Sequence, residues 1–314
     1  MKVIRKRKPK NQHKSRLGPR HKHTVTIYKD STYIRFTSMG SPCEVIVDST
    51  DSKKGRRLAE IAVNETKRIE YKFSRYRKEG IIYDINTSGG RSISVDEETS
   101  KLLDFSKQCF DISEGLFDIT SGIFRKAWSF SPGATVPTQQ KIESLLPLCG
   151  WQKIEWSPPS IRLLPGMEID FGGICKEYAV DRTALLFSHE TDISCLINYG
   201  GDIYSTGTRK SRVPWNIGIT QVGKEEAFSK TLQIKKCAIA TSGDMHRKVE
   251  KGGKLYSHII NPKTGWPVEG APRSVTVLDS KCIDAGLLAT LALLQGKEAE
   301  SFLKHQRVAH WCQR

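Results

Sequence analysis

The residues of this chain best suited to chemistry lie in short runs where His, Lys, Asp or paired glycines follow an apolar stretch. One such run is "YSHIINPKTGWPV", residues 256–268. A single histidine, His258, closes a β-rich stretch and enters a turn stiffened by Asn261-Pro262, Thr264-Gly265 and Trp266-Pro267. Imidazole titrates near neutrality, so a histidine held by such a turn suits proton transfer. A structural histidine satisfied within its own turn is the plainer reading. A second run, "EIDFGGICKEYAVDR", places Asp170 at a strand end, then Gly172 and Gly173, then a helix start. Backbone N–H groups at such a start point at an anion, and Lys176 one turn in adds positive charge for a phosphate. An ordinary glycine-softened turn before an amphipathic helix fits the same residues. Neither the GxGxxG dinucleotide fingerprint nor the GxxxxGK[ST] phosphate loop is present.

Four weaker runs accompany these two. "INYGGDIYSTG" repeats the Gly-Gly-Asp arrangement after an apolar strand, which also reads as a tight turn capped by Asp202. "AIATSGDMHRKV" brings Thr241, Ser242, Gly243 and Asp244 together, without the GxSxG elbow of a serine nucleophile. "SEGLFDIT" sets Phe117 and Asp118 just after a helix, where Phe117 serves either a ring-stacking site or the core. In "MGSPC", Met39 precedes a turn and could lie against an aromatic ligand.

The elements that must position these runs follow from periodicity. Two strands flank Lys29-Asp30-Ser31, and "CEVIVD" alternates as a third. Leu58, Ile61, Ala62, Ile69 and Phe73 recur at helical spacing over 53–73. Residues 73–90 read as a loop, 97–110 as a second helix, and "TQQKIESLLPL" as a short helix with Thr138 at its N-cap. Short strands and turns fill 151–170 and 193–241, and a last helix is expected over 285–305. Strands outnumber helices and short turns join most of them. The expected fold is therefore α+β, with a mainly antiparallel sheet flanked by helices.

Composition narrows the class. No apolar run approaches the 18 residues of a membrane-spanning helix, and no apolar h-region follows the basic N-terminus. From 1 to 29 there are eleven Lys and Arg and no acid, so most of the net charge of +16 sits there. Residues 1–23 read as a disordered basic arm able to touch anionic surfaces, and 24–314 as one domain. With no aromatic residue before Tyr28, the arm has no stacking platform, and no specific nucleic acid is expected. Eight cysteines without a CxxC pair read as buried thiols in a reducing compartment.

In order along the chain, MGSPC, FSRY, SEGLFD, DFGGICKEYAVDR, NYGGDIYSTG, ATSGD, HIINPKTGWP and AGLLAT resemble the FAD:protein FMN transferase family, also called ApbE-like. The resemblance covers about 36–303. It implies an α+β fold that uses FAD and Mg²⁺ to attach FMN to a Thr of an acceptor flavoprotein, releasing AMP. Some members hydrolyse FAD to FMN and AMP instead. By the resemblance, Met39, Tyr76, Leu116, Phe117, Asp118, Asp170, Lys176 and Ile259 contact the cofactor. His258 is the catalytic histidine, while the Gly173 carbonyl and Thr290 hold metal.

Two positions depart from that family. Asn261 replaces the usual Asp before Pro, which loses a charge but keeps Asx-turn geometry. Gly286 stands where a metal-binding Asp is usual, one turn before Thr290, and glycine offers no side-chain oxygen. Asp284 is a substitute ligand only if the last helix starts later than expected, since two residues swing a side chain about 200°; otherwise it caps that helix. Three activities stay open here: FMN transferase, FAD pyrophosphatase, or a flavin-binding protein with little catalysis. The resemblance implies a protein often exported as a lipoprotein. With neither leader nor lipobox in view, the expected location is cytoplasmic, or periplasmic if the start site is mis-assigned.

Overall fold

Apolar residues alternate along His23–Ile27 (β1), Thr32–Ser38 (β2) and Ser41–Val47 (β3), and these are the three strands expected from the pattern. The computed structural model describes residues 2–3, 23–131, 133–244 and 248–314. The first three strands continue into Cys195–Tyr199 (β4), Asp202–Thr206 (β5), Lys236–Gly243 (β6), Ser274–Asp279 (β7) and Ala309–Gln313 (β8). All eight form one sheet whose order in space follows the order in the chain, and every pairing is antiparallel. The expected α+β class and antiparallel sheet are both observed.

The period-2 alternation divides the interior in two. Val45, Val47, Ile197, Tyr199, Ala238 and Ala240 belong to the larger core, while Ile46, Leu196, Ile203 and Ile239 belong to a smaller one. Helices Ser52–Phe73 (α1), Glu97–Ile112 (α2), Cys175–Glu190 (α3) and Cys282–Leu294 (α4) contribute Leu58, Leu103, Val180 and Leu291 to the larger core. The hairpin of Trp215–Gln221 with Lys224–Ile234 covers the other face with Trp215, Ile217, Ile219 and Ile234. All eight cysteines are free thiols.

Local chemistry sets the helix ends. Asp51 accepts from the N–H groups of Lys53 and Lys54 to start α1, and Asp96 accepts from Thr99 N to start α2. Thr138 accepts from Lys141 N, as its position predicted. Three expectations need correcting. Residues 73–90 include a helical turn, Ile81–Asn86, because Ile82 and Ile85 are pulled into the core. The last helix starts at Cys282 instead of 285. It is then divided at Gly296, whose φ of +63° and close approach to the Glu269 carbonyl (2.7 Å from an added Cβ) admit only glycine. Of the basic arm, only Lys2–Val3 and His23 fall among the described residues, and Lys2–Val3 pairs with Ile217 and Gly218; the expectation of disorder for the rest lies outside them.

The early start of α4 has a source outside the helix. Lys281 occupies the N-cap without a side-chain bond, and Asp181 of α3 accepts from Cys282 N (2.8 Å) and Ile283 N (2.9 Å). Burial pushes the Asp181 carboxyl up to about 6, opposed by those two N–H donors and aided by Asp284. A carboxyl raised in the folded state binds its proton between its ordinary value and about 6, so its contribution to stability falls as pH rises through that window. Asp181→Asn removes this titration. The variant's stability minus that of the wild type should rise by on the order of 2 kcal/mol across that interval. Urea unfolding at several pH values checks this, and a pH-independent difference would refute it.

Candidate active site

The site is built where three glycine-bearing turns meet the start of α3. Asp170 closes the segment before it. Its Oδ1 accepts from Gly172 N (2.9 Å), and its Oδ2 pairs with Arg75 Nη1 (2.9 Å). Arg75 also donates to the Tyr76 hydroxyl (3.0 Å) and lies over that ring, 5.0 Å from its centroid. Tyr76 is 79% exposed, so one aromatic face is offered outward beside a fixed ion pair. Gly172 and Gly173 are exposed, and α3 begins after them with no side-chain cap. The Phe171 carbonyl accepts from Ile174 N and Cys175 N (both 2.9 Å) and closes this turn, so the exposed Gly172-Gly173 backbone is the surface that an anion would approach.

Lys176 and Glu177 follow on the first turn of α3. Lys176 Nζ lies 2.8 Å from Oδ2 of Asp202, which is 1% exposed, and Asp202 Oδ1 accepts from Thr241 N (3.2 Å). Burial opposes the ammonium, but Asp202 and then Glu177 hold the Lys176 pKa above its ordinary value, so it stays charged. Asp202 is thus a buried counter-ion rather than a turn cap. Gly200 (φ +62°) leaves room for Ser41, whose Cβ would sit 2.8 Å from an added methyl. That contact brings in the β2–β3 turn, where Met39 and Gly40 both take positive φ and Met39 packs against the larger core. Glu177 is buried, and burial first, then Asp202, raises its pKa. Its Oε2 has no hydrogen-bond partner. It lies against Gly286 of α4, one turn before Thr290, whose hydroxyl is 2.9 Å from that of Ser242.

Phe117 is buried beside Gly173, and Leu116 is partly buried next to it. Asp118 serves as a cap: Oδ1 accepts from the N–H and hydroxyl of Thr120, and Oδ2 accepts from Trp151 N. Burial raises its pKa against those bonds. Gly115 lies near Lys263 (3.8 Å from an added Cβ to Cε), which joins this run to the turn that carries His258. Asn261 Oδ1 accepts from Lys263 N (2.9 Å), the Asx turn expected from Asn-Pro. Gly265 (φ +71°) sits against Ile142 and Phe124, and its carbonyl accepts from Trp128 Nε1 (2.9 Å). Trp128, Phe130, Tyr256 and Trp266 pack round this turn, with the His258 ring 6.2 Å from Phe130. Ile259 lines a cleft of about 310 Å³ with Asp244, Ser257 and Arg273.

This chain matches the model of the ApbE family over residues 39–311. It belongs to the ApbE family. It is 28% identical over 275 residues to an FAD:protein FMN transferase of Klebsiella pneumoniae (strain 342), a match spanning 86% of this chain and 84% of that protein. It is 27% identical over 290 residues to the protein of the same name from Escherichia coli (strain K12), spanning 88% and 80%. Among solved structures it is similar to the ApbE protein of Thermotoga maritima, with a TM-score of 0.83, 27% identity, and 90% and 94% of the two chains covered. The flavin transferase ApbE from Vibrio cholerae gives a TM-score of 0.77 at 25% identity, over 90% and 93%.

Against the ApbE resemblance, most of the expected residues gather round these turns, and one does not. Because α4 starts at Cys282, Asp284 is its third residue and points about 200° away from Gly286. Its charged neighbours are Lys281, Asp279 and Asp181. The condition that would have made it a substitute ligand is not met, and Asp181 holds the capping role offered to it. Among the described residues, no three of His, Cys, Asp and Glu come together as a metal cage. Sequence reasoning passed over Arg75 and Glu177 and gave Asp202 a minor part. The usable signal for Asp202 was a second Gly-Gly-Asp; burial of Glu177 has no local signature.

Removing the Asp202 charge leaves a partly buried ammonium without its counter-ion. Asp202→Asn should destabilise by about 2–3 kcal/mol, and Lys176→Met combined with it should cost less than the two single changes added together. A double-mutant cycle by denaturant unfolding reads this coupling, and strict additivity would exclude it.

Proposed function

We propose that this protein transfers FMN from FAD to a Thr hydroxyl of an acceptor flavoprotein, releases AMP, and requires Mg²⁺. The observation that carries the proposal is one chain of contacts: Lys263 of the His258 turn beside Gly115, Phe117 beside Gly173, and Lys176 following on α3. It links a histidine, a partly buried hydrophobic run and an anion-binding turn, in a chain that belongs to the ApbE family. A flavin would find Met39, Leu116 and the exposed Tyr76 ring, and Ile259 would touch the cofactor. The pyrophosphate would meet the exposed Gly172-Gly173 backbone at the start of α3. Lys176, kept charged by Asp202, would stabilise charge developing there.

The acceptor Thr oxygen attacks the FMN-side phosphorus, the bond from that phosphorus to the AMP oxygen breaks, and the hydroxyl proton passes to His258. The turn round Asn261 and Gly265 restrains His258 in advance, so little ordering is left for the moment of reaction. The oxygen donors near α4 are hard ones: the Thr290 and Ser242 hydroxyls and a buried carboxylate oxygen of Glu177 that no protein donor satisfies. They fit Mg²⁺, which is held by one or two carboxylates with substrate phosphates completing its shell. Thr290 and the Gly173 carbonyl would hold the ion. Bound there, Mg²⁺ neutralises the pyrophosphate and makes AMP a better leaving group.

The test is to incubate the protein with FAD, Mg²⁺ and an acceptor carrying a Thr flavinylation site, and to weigh the acceptor. A mass gain of one FMN is expected, reduced about 10²–10⁴-fold in His258→Ala while FAD still binds. FMN and AMP without acceptor gain would make the protein a pyrophosphatase instead. Tyr76→Ala should weaken FAD binding roughly tenfold by loss of stacking; an unchanged affinity, measured by flavin fluorescence, would remove Tyr76 from the site.

A further inference from the structure

The place vacated at Gly286 is filled from another helix. A Cβ built on Gly286 would meet Glu177 Cγ at 2.6 Å, Oε1 at 2.8 Å and Cδ at 3.0 Å. The Glu177 side chain thus occupies the space that a side chain at 286 would enter. Gly286 itself is buried on α4, one turn before Thr290 and on the same face. We infer that Glu177 supplies the carboxylate that α4 lacks, so that the metal-binding group of this site is carried on α3, beside Lys176, instead of one turn before Thr290.

The other buried carboxylates nearby show what a purely structural one looks like. Asp118 and Asp181 each have both oxygens accepting from backbone N–H or hydroxyl groups. Glu177 is 7% exposed, and its Oε2 has no such partner. A carboxylate oxygen buried without a donor is costly unless a cation or a proton meets it. The nearest ammonium, Lys176, is already placed on Asp202 at 2.8 Å. One turn along α4 from Gly286 is the Thr290 hydroxyl, 2.9 Å from that of Ser242, and both are neutral oxygen donors of the kind a hard cation accepts. The two side chains contend for one volume: a β-carbon at 286 would require the Glu177 side chain to shift.

This inference rests on the proposed function for the presence of Mg²⁺. Its test reads metal binding directly, with Mn²⁺ as the probe. Free Mn²⁺ is followed by its EPR signal as the ion is titrated into the full chain with FAD present, and FAD affinity is measured separately in EDTA. The wild type is expected to take up Mn²⁺. Glu177→Gln should weaken that uptake at least tenfold without changing FAD affinity in EDTA. The double variant Glu177→Gly with Gly286→Asp returns the carboxylate to α4 and should recover uptake to within a few-fold of wild type. Wild-type uptake in Glu177→Gln overturns the inference and leaves the transferase reading standing. A double variant that folds and binds FAD yet takes up no Mn²⁺ overturns it too. No FAD-dependent uptake by the wild type would overturn both this inference and the Mg²⁺ requirement.

Discussion

Asp202 is a carboxylate at 1% exposure on an inner strand of the sheet, and a charge in that position needs a partner. Lys176 provides it from the first turn of α3. To reach Asp202, the lysine stem runs past Gly200 of the β4–β5 turn, and Gly200 must lack a side chain so that Ser41 can approach. The pair therefore ties together the start of α3, the Gly200-Gly201 turn and the turn that carries Met39. Everything proposed for the pyrophosphate depends on that junction, because the exposed Gly172-Gly173 backbone before Lys176 is positioned by the same helix start.

Carboxylates crowd this half of the molecule, and the fold treats each differently. Asp118 is spent on capping the Ile119–Lys126 turn and on Trp151 N, Asp181 on the start of α4, Asp170 on Arg75 and Gly172, and Asp202 on Lys176. Asp202 Oδ2 and Glu177 Oε2 are both buried without a hydrogen-bond partner, but Asp202 Oδ2 faces the Lys176 ammonium at 2.8 Å, whereas Glu177 Oε2 has no such ion pair among the described residues. An oxygen buried in that state costs local stability. The His258 turn follows the opposite rule. Four aromatic side chains and the Trp128–Gly265 hydrogen bond surround it, so the backbone that presents the histidine is rigid before any substrate arrives.

Much of this was legible along the chain because it is local. Period-2 alternation marked β1, β2 and β3, helical spacing marked α1, Thr138 marked its own cap, and Asn261-Pro262 marked an Asx turn. Each of these depends on residues within one turn or one hairpin, where propensity and hydrogen bonding between near neighbours decide the outcome. The ordered glycine-bearing runs were likewise enough to suggest the family to which the chain belongs.

What the chain could not disclose is carried by partners far apart in it. The start of α4 is set by Asp181, 101 residues before Cys282, so no cap signal precedes that helix in the sequence. The significance of Gly286 is likewise not local: a missing Asp reads as a lost ligand until Glu177 is seen in the same volume. The sequence by itself determined the residue types, the strands and helices they favour, and the family. Only tertiary structure decided which carboxylate faces which cation, cap or empty space, because packing and desolvation act between elements brought together by folding, without regard to their distance along the chain.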